Sequence, residues 1–469
     1  MSWSARALSI SRFAKSEARG VHSNEKNTTF EKLNQNKPLF YMLSAEYRKE
    51  IIDLINREVV PAMGCTEPIA VSLCTAKAAE VLGCEPQSIR VLLSPNVLKN
   101  AMGVGIPGTD MIGLPIAIAL GAIVGKSEYQ LEVLRDVTPE AVERGRKMID
   151  EGRVKVGVKD GDCETLYIEV IATAEGHTAT AIISGSHTNF TYVAKDEKVI
   201  VDNRTPASES GEHKEVALTL RTVWDFATTS PIDELRFILE ARRLNKAAAD
   251  ESMKGEWGHC LGRTVRESAG SRKIMGDTIL SHMISYTSAA CDARMGGAKI
   301  PVMSNSGSGN QGIVSTLPVV VYAEDTGASE EQLIRALALS HLTVIYIKQS
   351  LGRLSALCGC VVASTGSSCG ITYLMGGDYE QVAMAVKNMV ATLTGMICDG
   401  AKPSCALKLS SSVSTAVMAA TMAMEHRCVT AYEGIVDDDV DKSILNLTTI
   451  GSRGMLETDR MILHIMTHK

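Results

Sequence analysis

The stretch that most restricts the fold is Cys398-Asp399-Gly400-Ala401-Lys402-Pro403-Ser404-Cys405, two thiols on either side of a tight turn. Upstream, Asp378 followed three residues later by Gln381 has the form of a capping box. It opens an amphipathic helix whose apolar side carries Val382, Met389, Val390 and Leu393, with Gly400 as the expected stop. Pro403 and Ser404 then start a second helix, from Ala406 to about Met424. One thiol thus ends a helix and the other begins the next, so both can converge on one point with Cys358, farther upstream. Three cysteines gathered by helix ends suit an iron–sulfur cluster with one coordination site left open. Buried structural thiols are the alternative, since cysteine often behaves as a small hydrophobe. Zinc is the rival metal, but the chain has no Cys-x-x-Cys pair, which structural zinc sites usually use.

The rest of the composition narrows the class. A chain of 469 residues can bury a large core and form two or three domains. Aromatics are only 4%, against 38 glycines and 21 methionines, which suits helix-rich packing with close approaches. A net charge of −6 and the lack of a basic stripe exclude a nucleic-acid partner. The longest uncharged apolar run, 111–125, contains Pro115 and is too short to span a bilayer. Twelve cysteines without a clear signal peptide point to a reducing compartment, taken as the cytoplasm. The expected partner is a small-molecule substrate, with a homo-oligomer left open.

Residues 1–41 form an N-terminal extension, rich in Ser and Arg at its start, read either as an organelle transit peptide (hence an organelle matrix) or as a disordered tail. An upstream start codon, with the protein proper beginning at Met42, is a third reading. Ser44 caps a first helix to about Val59. Pro61-Ala62-Met63-Gly64-Cys65-Thr66-Glu67-Pro68 then turns sharply into a second helix ending near Gly83. Cys65 sits just ahead of that helix, where free backbone N–H groups and the dipole favour a thiolate. A free thiol of pKa about 8.5 is only ~3% ionised at pH 7, so such help decides its reactivity. A buried structural cysteine is the other reading.

A strand over 89–93 leads to a small, apolar loop at 96–108, in which Lys99 and Asn100 are either functional or solvated. Its formal Gly-x-Gly-x-x-Gly follows no strand directly and is interrupted by Pro107, so it is rejected as a dinucleotide site. From 154 to 201 apolar residues alternate, as in Leu166, Ile168 and Val170, which predicts an antiparallel sheet. Ser186, His187 and Thr188 lie in a turn between its strands, able to donate to a carboxylate or simply to close a hairpin. The polar segment 203–212 is the best domain boundary, separating an α+β domain (42–205) from an all-α domain (213–469). The fold class is therefore α+β, with a mainly helical C-terminal domain. Two breaks interrupt those helices: 305–312, whose amides with Ser308, Asn310 and Gln311 can bind an anion, and 364–368.

Together, the 61–68 motif, Lys99-Asn100-Ala101-Met102-Gly103-Val104-Gly105-Ile106-Pro107-Gly108, Ser186-His187-Thr188, Gly307-Ser308-Gly309-Asn310-Gln311-Gly312 and Cys398-Asp399-Gly400-Ala401-Lys402 resemble the L-cysteine desulfidases. These belong with the iron–sulfur L-serine dehydratase alpha-chain family, and the resemblance covers about 42–469. It implies a carbon–sulfur lyase that converts L-cysteine to hydrogen sulfide, ammonia and pyruvate through aminoacrylate, without pyridoxal phosphate. It further implies a [4Fe–4S] cluster on Cys358, Cys398 and Cys405, Cys65 as proton acceptor, and substrate held by the 186–188 and 307–312 turns. L-Serine dehydration on the same cluster, or a non-catalytic iron–sulfur sensor, are the competing functions. Related dehydratases can use a C-terminal cysteine as displaceable ligand, whereas this chain has none after Cys428.

Overall fold

Local capping chemistry sets the helix starts where the sequence puts them. In the computed structural model, which describes residues 43–204, 216–352 and 354–468, the Ser44 hydroxyl accepts from Tyr47 N (3.2 Å) and opens the helix Ala45–Glu58. Ser329 with Gln332, and Asp378 with Gln381, form reciprocal capping boxes that open Glu330–Leu351 and Tyr379–Leu393. The extension 1–41 and most of the boundary at 203–212 lie outside the described residues.

The fold is α+β, and its largest sheet is mixed. Strands Tyr167–Ala174, His177–Ser184, Phe190–Lys195 and Lys198–Asp202 form the expected antiparallel meander. Strand Ser88–Leu93 adds to its edge, antiparallel to Tyr167–Ala174, and Val154–Val158 then pairs with Ser88–Leu93 in parallel. The helices Pro95–Ala101, Leu114–Ile123 and Pro139–Asp150 supply the crossover that a parallel pair needs. Ile168, Val170, Ala179, Ala181 and Ile183 are fully buried on one face, in one core with the helix Thr66–Leu82. The wholly apolar helix Leu114–Ile123 crosses Thr66–Leu82 so closely that a Cβ on Gly121 would stand 2.5 Å from Ser72 O.

A second core gathers the C-terminal helices, but the packing does not follow chain order: Ile51, Leu54, Ile55 and Cys65 belong to it. So does Val302, from a short ladder in a region read as helical, where Pro301–Met303 pairs antiparallel with Pro61–Met63. The expected break at 364–368 is a correction: these residues lie in the middle of the continuous helix Gly359–Leu374. Thr365 Oγ1 donates to Val361 O (2.8 Å) and Ser367 Oγ to Ser364 O (3.1 Å), so these hydroxyls are spent on the helix's own carbonyls, while Ser368 Oγ donates to Ala416 O (3.0 Å) across the core. Gly366 faces Ser340 O at a distance that would leave a Cβ only 2.4 Å away, which makes it a helix-crossing point.

Candidate functional site

The Pro61–Met63 ladder delivers the chain to Gly64, whose φ of +68° suits glycine and whose Cβ would strike the Pro107 ring at 2.6 Å. Arg294 Nε fixes the same residue by donating to Gly64 O (3.0 Å). Cys65 then precedes Thr66–Leu82 as its N-cap residue, 1% exposed. Its surroundings reverse the expectation of a ready thiolate. Burial, and then the nearby Glu67 carboxylate, push the thiol well above its ordinary value, with Arg294 opposing them. Sγ lies 3.1 Å from Glu67 Oε2, so the S–H donates to a carboxylate that also accepts from Thr66 Oγ1 (3.0 Å). The helix start is thus less important to this thiol than the acid two residues on.

Cys65 lines a cavity of about 90 Å³ together with Cys358, Cys398 and Cys405. Cys358 and Cys398 meet by a different route from the expected helix ends. The helix Tyr379–Leu393 stops before Cys398, and a bridge between Leu357 and Ile397 joins the two segments, with Cys358 N to Met396 O (2.9 Å) and Cys398 N to Ala356 O (2.7 Å). Cys405 begins the helix Cys405–Met424, close to the expected start. Gly400, at φ +90°, presses the loop onto the backbone of the helix Pro95–Ala101, where a Cβ would come within 2.4 Å of Lys99 O.

Mutual hydrogen bonding and burial raise the Cys398 thiol, and burial raises that of Cys405. Lys99 opposes the first rise, while Lys402 and Lys408 oppose the second. Burial pushes Asp399 upward, but hydrogen bonds from Lys402 and Lys408 prevail and hold it at about 2. Three soft thiols with three lysines nearby are a donor set suited to an iron–sulfur cluster, whose bound thiolates carry negative charge. Among the described residues, no group of three or more His, Cys, Asp and Glu side chains has the geometry to hold a single metal ion.

The structure also brings in a fourth thiol. Cys360 lines the same cavity, with Sγ 3.2 Å from Cys358 Sγ and 3.2 Å from Met396 Sδ. Cys369 is buried within its helix, its thiol pushed up to about 12 by burial, and Cys428 contacts Met384 O instead of the cavity.

Ser308, Asn310 and Gln311 reach the Cys65 cavity, at the start of the helix Gly309–Thr326 that Ser308 caps. Asn100 reaches it too, its Oδ1 3.9 Å from Cys398 Sγ. The loop expected at 96–108 begins as the helix Pro95–Ala101, and Lys99 is neither solvated nor in the cavity: at 1% exposure it is ion-paired with Asp459 of the C-terminal helix Leu456–Thr467. Ser186, His187 and Thr188 line another cavity, of about 560 Å³, with Arg57, Tyr129 and Ser304. Gly307 walls that cavity while Ser308 walls the first.

Two residues were missed. Glu67 stood within the quoted 61–68 motif, and only its spacing from Cys65 hinted at a contact. Arg294 gave no signal, because its contacts to Gly64 and Asn310 depend on long-range packing.

An α+β fold enclosing one acid-paired cysteine and a trio of converging thiols defines a thiol-centred enzyme cavity. The model of the serine dehydratase alpha chain matches residues 128–464. The chain is 68% identical to a UPF0597 protein of Bacteroides thetaiotaomicron over 428 residues, covering 91% of this chain and 99% of that protein. It is 61% identical to one of Parabacteroides distasonis (90% and 98%) and 48% identical to one of Oleidesulfovibrio alaskensis (91% and 100%). This chain belongs to the serine dehydratase alpha chain family, a family of lyases. Among the described residues, no helix is long and apolar enough to cross a membrane.

Proposed function

We propose that the protein is an L-cysteine desulfidase, eliminating sulfide from L-cysteine to leave ammonia and pyruvate. The observation that carries this is the shared cavity of Cys65 with Cys358, Cys398 and Cys405. A [4Fe–4S] cluster held by those three thiols would supply a Lewis-acidic, sulfur-seeking iron for the leaving group. Cys65 acts as the base for the Cα proton, and Glu67 first takes the thiol proton across their 3.1 Å contact. Burial of Cys65, at 1% exposure, keeps water from competing for that proton. Ser308, Asn310 and Gln311 hold the amino acid at the head of their helix, and Asn100 closes the side towards Cys398.

A soft thiolate leaving group favours cysteine over serine, yet both amino acids share the groups by which the cavity holds them. Family membership supports L-serine dehydration as the second reading. Twelve free cysteines support a reducing compartment, here the cytoplasm. Anaerobically reconstituted protein assayed with each amino acid, for sulfide and for pyruvate, separates the readings. Pyruvate from serine at a rate matching that from cysteine would overturn the desulfidase assignment.

A further inference from the structure

Arg294 is 2% exposed, yet it makes no ion pair among the described residues, and Glu67, which lines the same cavity, is hydrogen-bonded to Cys65 and Thr66 instead. Its Nε donates to Gly64 O (3.0 Å) and its Nη1 to Asn310 Oδ1 (2.9 Å), with only a long 4.0 Å contact from Nη1 to Met295 Sδ besides. A guanidinium has five N–H donors, so the side facing the cavity keeps donors to offer. Isolating a cation from water is costly unless an anion compensates it. Gly309 makes room for the group, since a Cβ there would fall 2.2 Å from Arg294 Nε. The first turn of Gly309–Thr326 opens on the same cavity with its backbone N–H groups. A second orphan points to the rest of the ligand: Gln311, 3% exposed, has an Oε1 with no hydrogen-bond partner, in the same cavity. The cavity therefore presents unspent donors and an unspent acceptor side by side.

We infer that Arg294 is the carboxylate anchor of the cavity, taking the free α-carboxylate of an amino acid while Gln311 Oε1 accepts from its α-ammonium. This rests on the proposed cleavage reading and deepens it. The guanidinium is held from behind by Gly64, the residue preceding Cys65, so the anchored carboxylate and the base share one rigid support. The substrate class that follows is free α-amino acids, with amides, esters and peptide-linked residues excluded.

The test measures binding to the anaerobic holoprotein by calorimetry, with L-cysteine, L-serine and L-cysteinamide as probes, alongside steady-state kinetics. The wild type is expected to prefer acid over amide by roughly 100-fold, the order lost with a charged hydrogen-bonded pair. Arg294→Ala should abolish that preference, raise KM far more than it lowers kcat, and regain affinity with added guanidinium. Equal affinity of the wild type for acid and amide while turnover persists would overturn the anchor alone, as would an Arg294→Ala protein that keeps the preference. Failure of the wild type to bind any free amino acid would overturn the cleavage reading and the anchor together. The acid-against-amide comparison needs no variant, so the anchor stays open to refutation even if Arg294→Ala fails to fold.

Discussion

At the scale of single residues, the chemistry is governed by what stands beside a side chain. Cys65 donates to Glu67, and burial first, then that carboxylate, holds the thiol in its protonated form. Under the proposed function, Cys65→Ser should bind iron as the wild type does and lose roughly 10²–10⁴-fold in turnover, because a hydroxyl is too weak a base; normal turnover would remove Cys65 from the mechanism. In Glu67→Gln one of the two upward influences on the thiol disappears, so alkylation of the Cys65 peptide, followed by mass spectrometry, should begin at lower pH. An unchanged pH dependence would mean that the acid does not act on the thiol.

His341 provides a test of stability beneath the site. It is fully buried, accepts from Asn305 Nδ2 at Nδ1 (3.1 Å) and lies 3.0 Å from Thr316 Oγ1 through Nε2. Thr316 itself donates to Gly312 O (2.6 Å), which fits a neutral ring carrying its proton on Nε2. Burial lowers its value from 6.5 to about 3. With the folded value below the unfolded one, its contribution to stability is complete above pH 6.5 and drains away as pH falls toward 3. Denaturant titrations should lose up to ~1.4 kcal/mol per pH unit in that window from this group, and His341→Gln should flatten the slope.

At the scale of elements, capping was the most legible part of the chain. Asp378 with Gln381 and Ser329 with Gln332 fix helix starts through bonds between residues three apart, and such signals survive any tertiary context. Gly and Ser at 364–368 misled because the same residue types serve turns and tight helix crossings. Only the partner helix Glu330–Leu351 distinguishes the two, and it is distant in sequence. Gly366→Ala should therefore destabilise the fold by about 1–3 kcal/mol through overpacking, visible as a lower thermal midpoint, whereas a true loop position would tolerate the change. Cys398 was placed near its partners for the wrong reason, since a bridge between 357 and 397 has no signature in either segment alone.

At the scale of the whole molecule, the C-terminal helix is tied back to an element of the N-terminal half, beside the site. The ion pair between buried Lys99 and partly exposed Asp459 binds the C-terminal helix to the helix that supports Cys398. Asp459→Ala leaves a buried ammonium without its partner, which should cost on the order of 3–5 kcal/mol and expose 456–467 to protease; Lys99→Met in the same chain should recover much of that loss. The enclosure of Cys65 and Glu67, 1% and 7% exposed, has a further consequence for the fate of hydrogen isotopes. Deuterium taken from Cα would rest on Sγ with little water to wash it out, and could be returned to the same molecule as its enamine becomes a ketone precursor. Turnover of α-deuterated amino acid in ordinary water should then yield pyruvate carrying a measurable share of CH2D, whereas complete loss of the label would mean that the thiol exchanges with solvent faster than the product leaves.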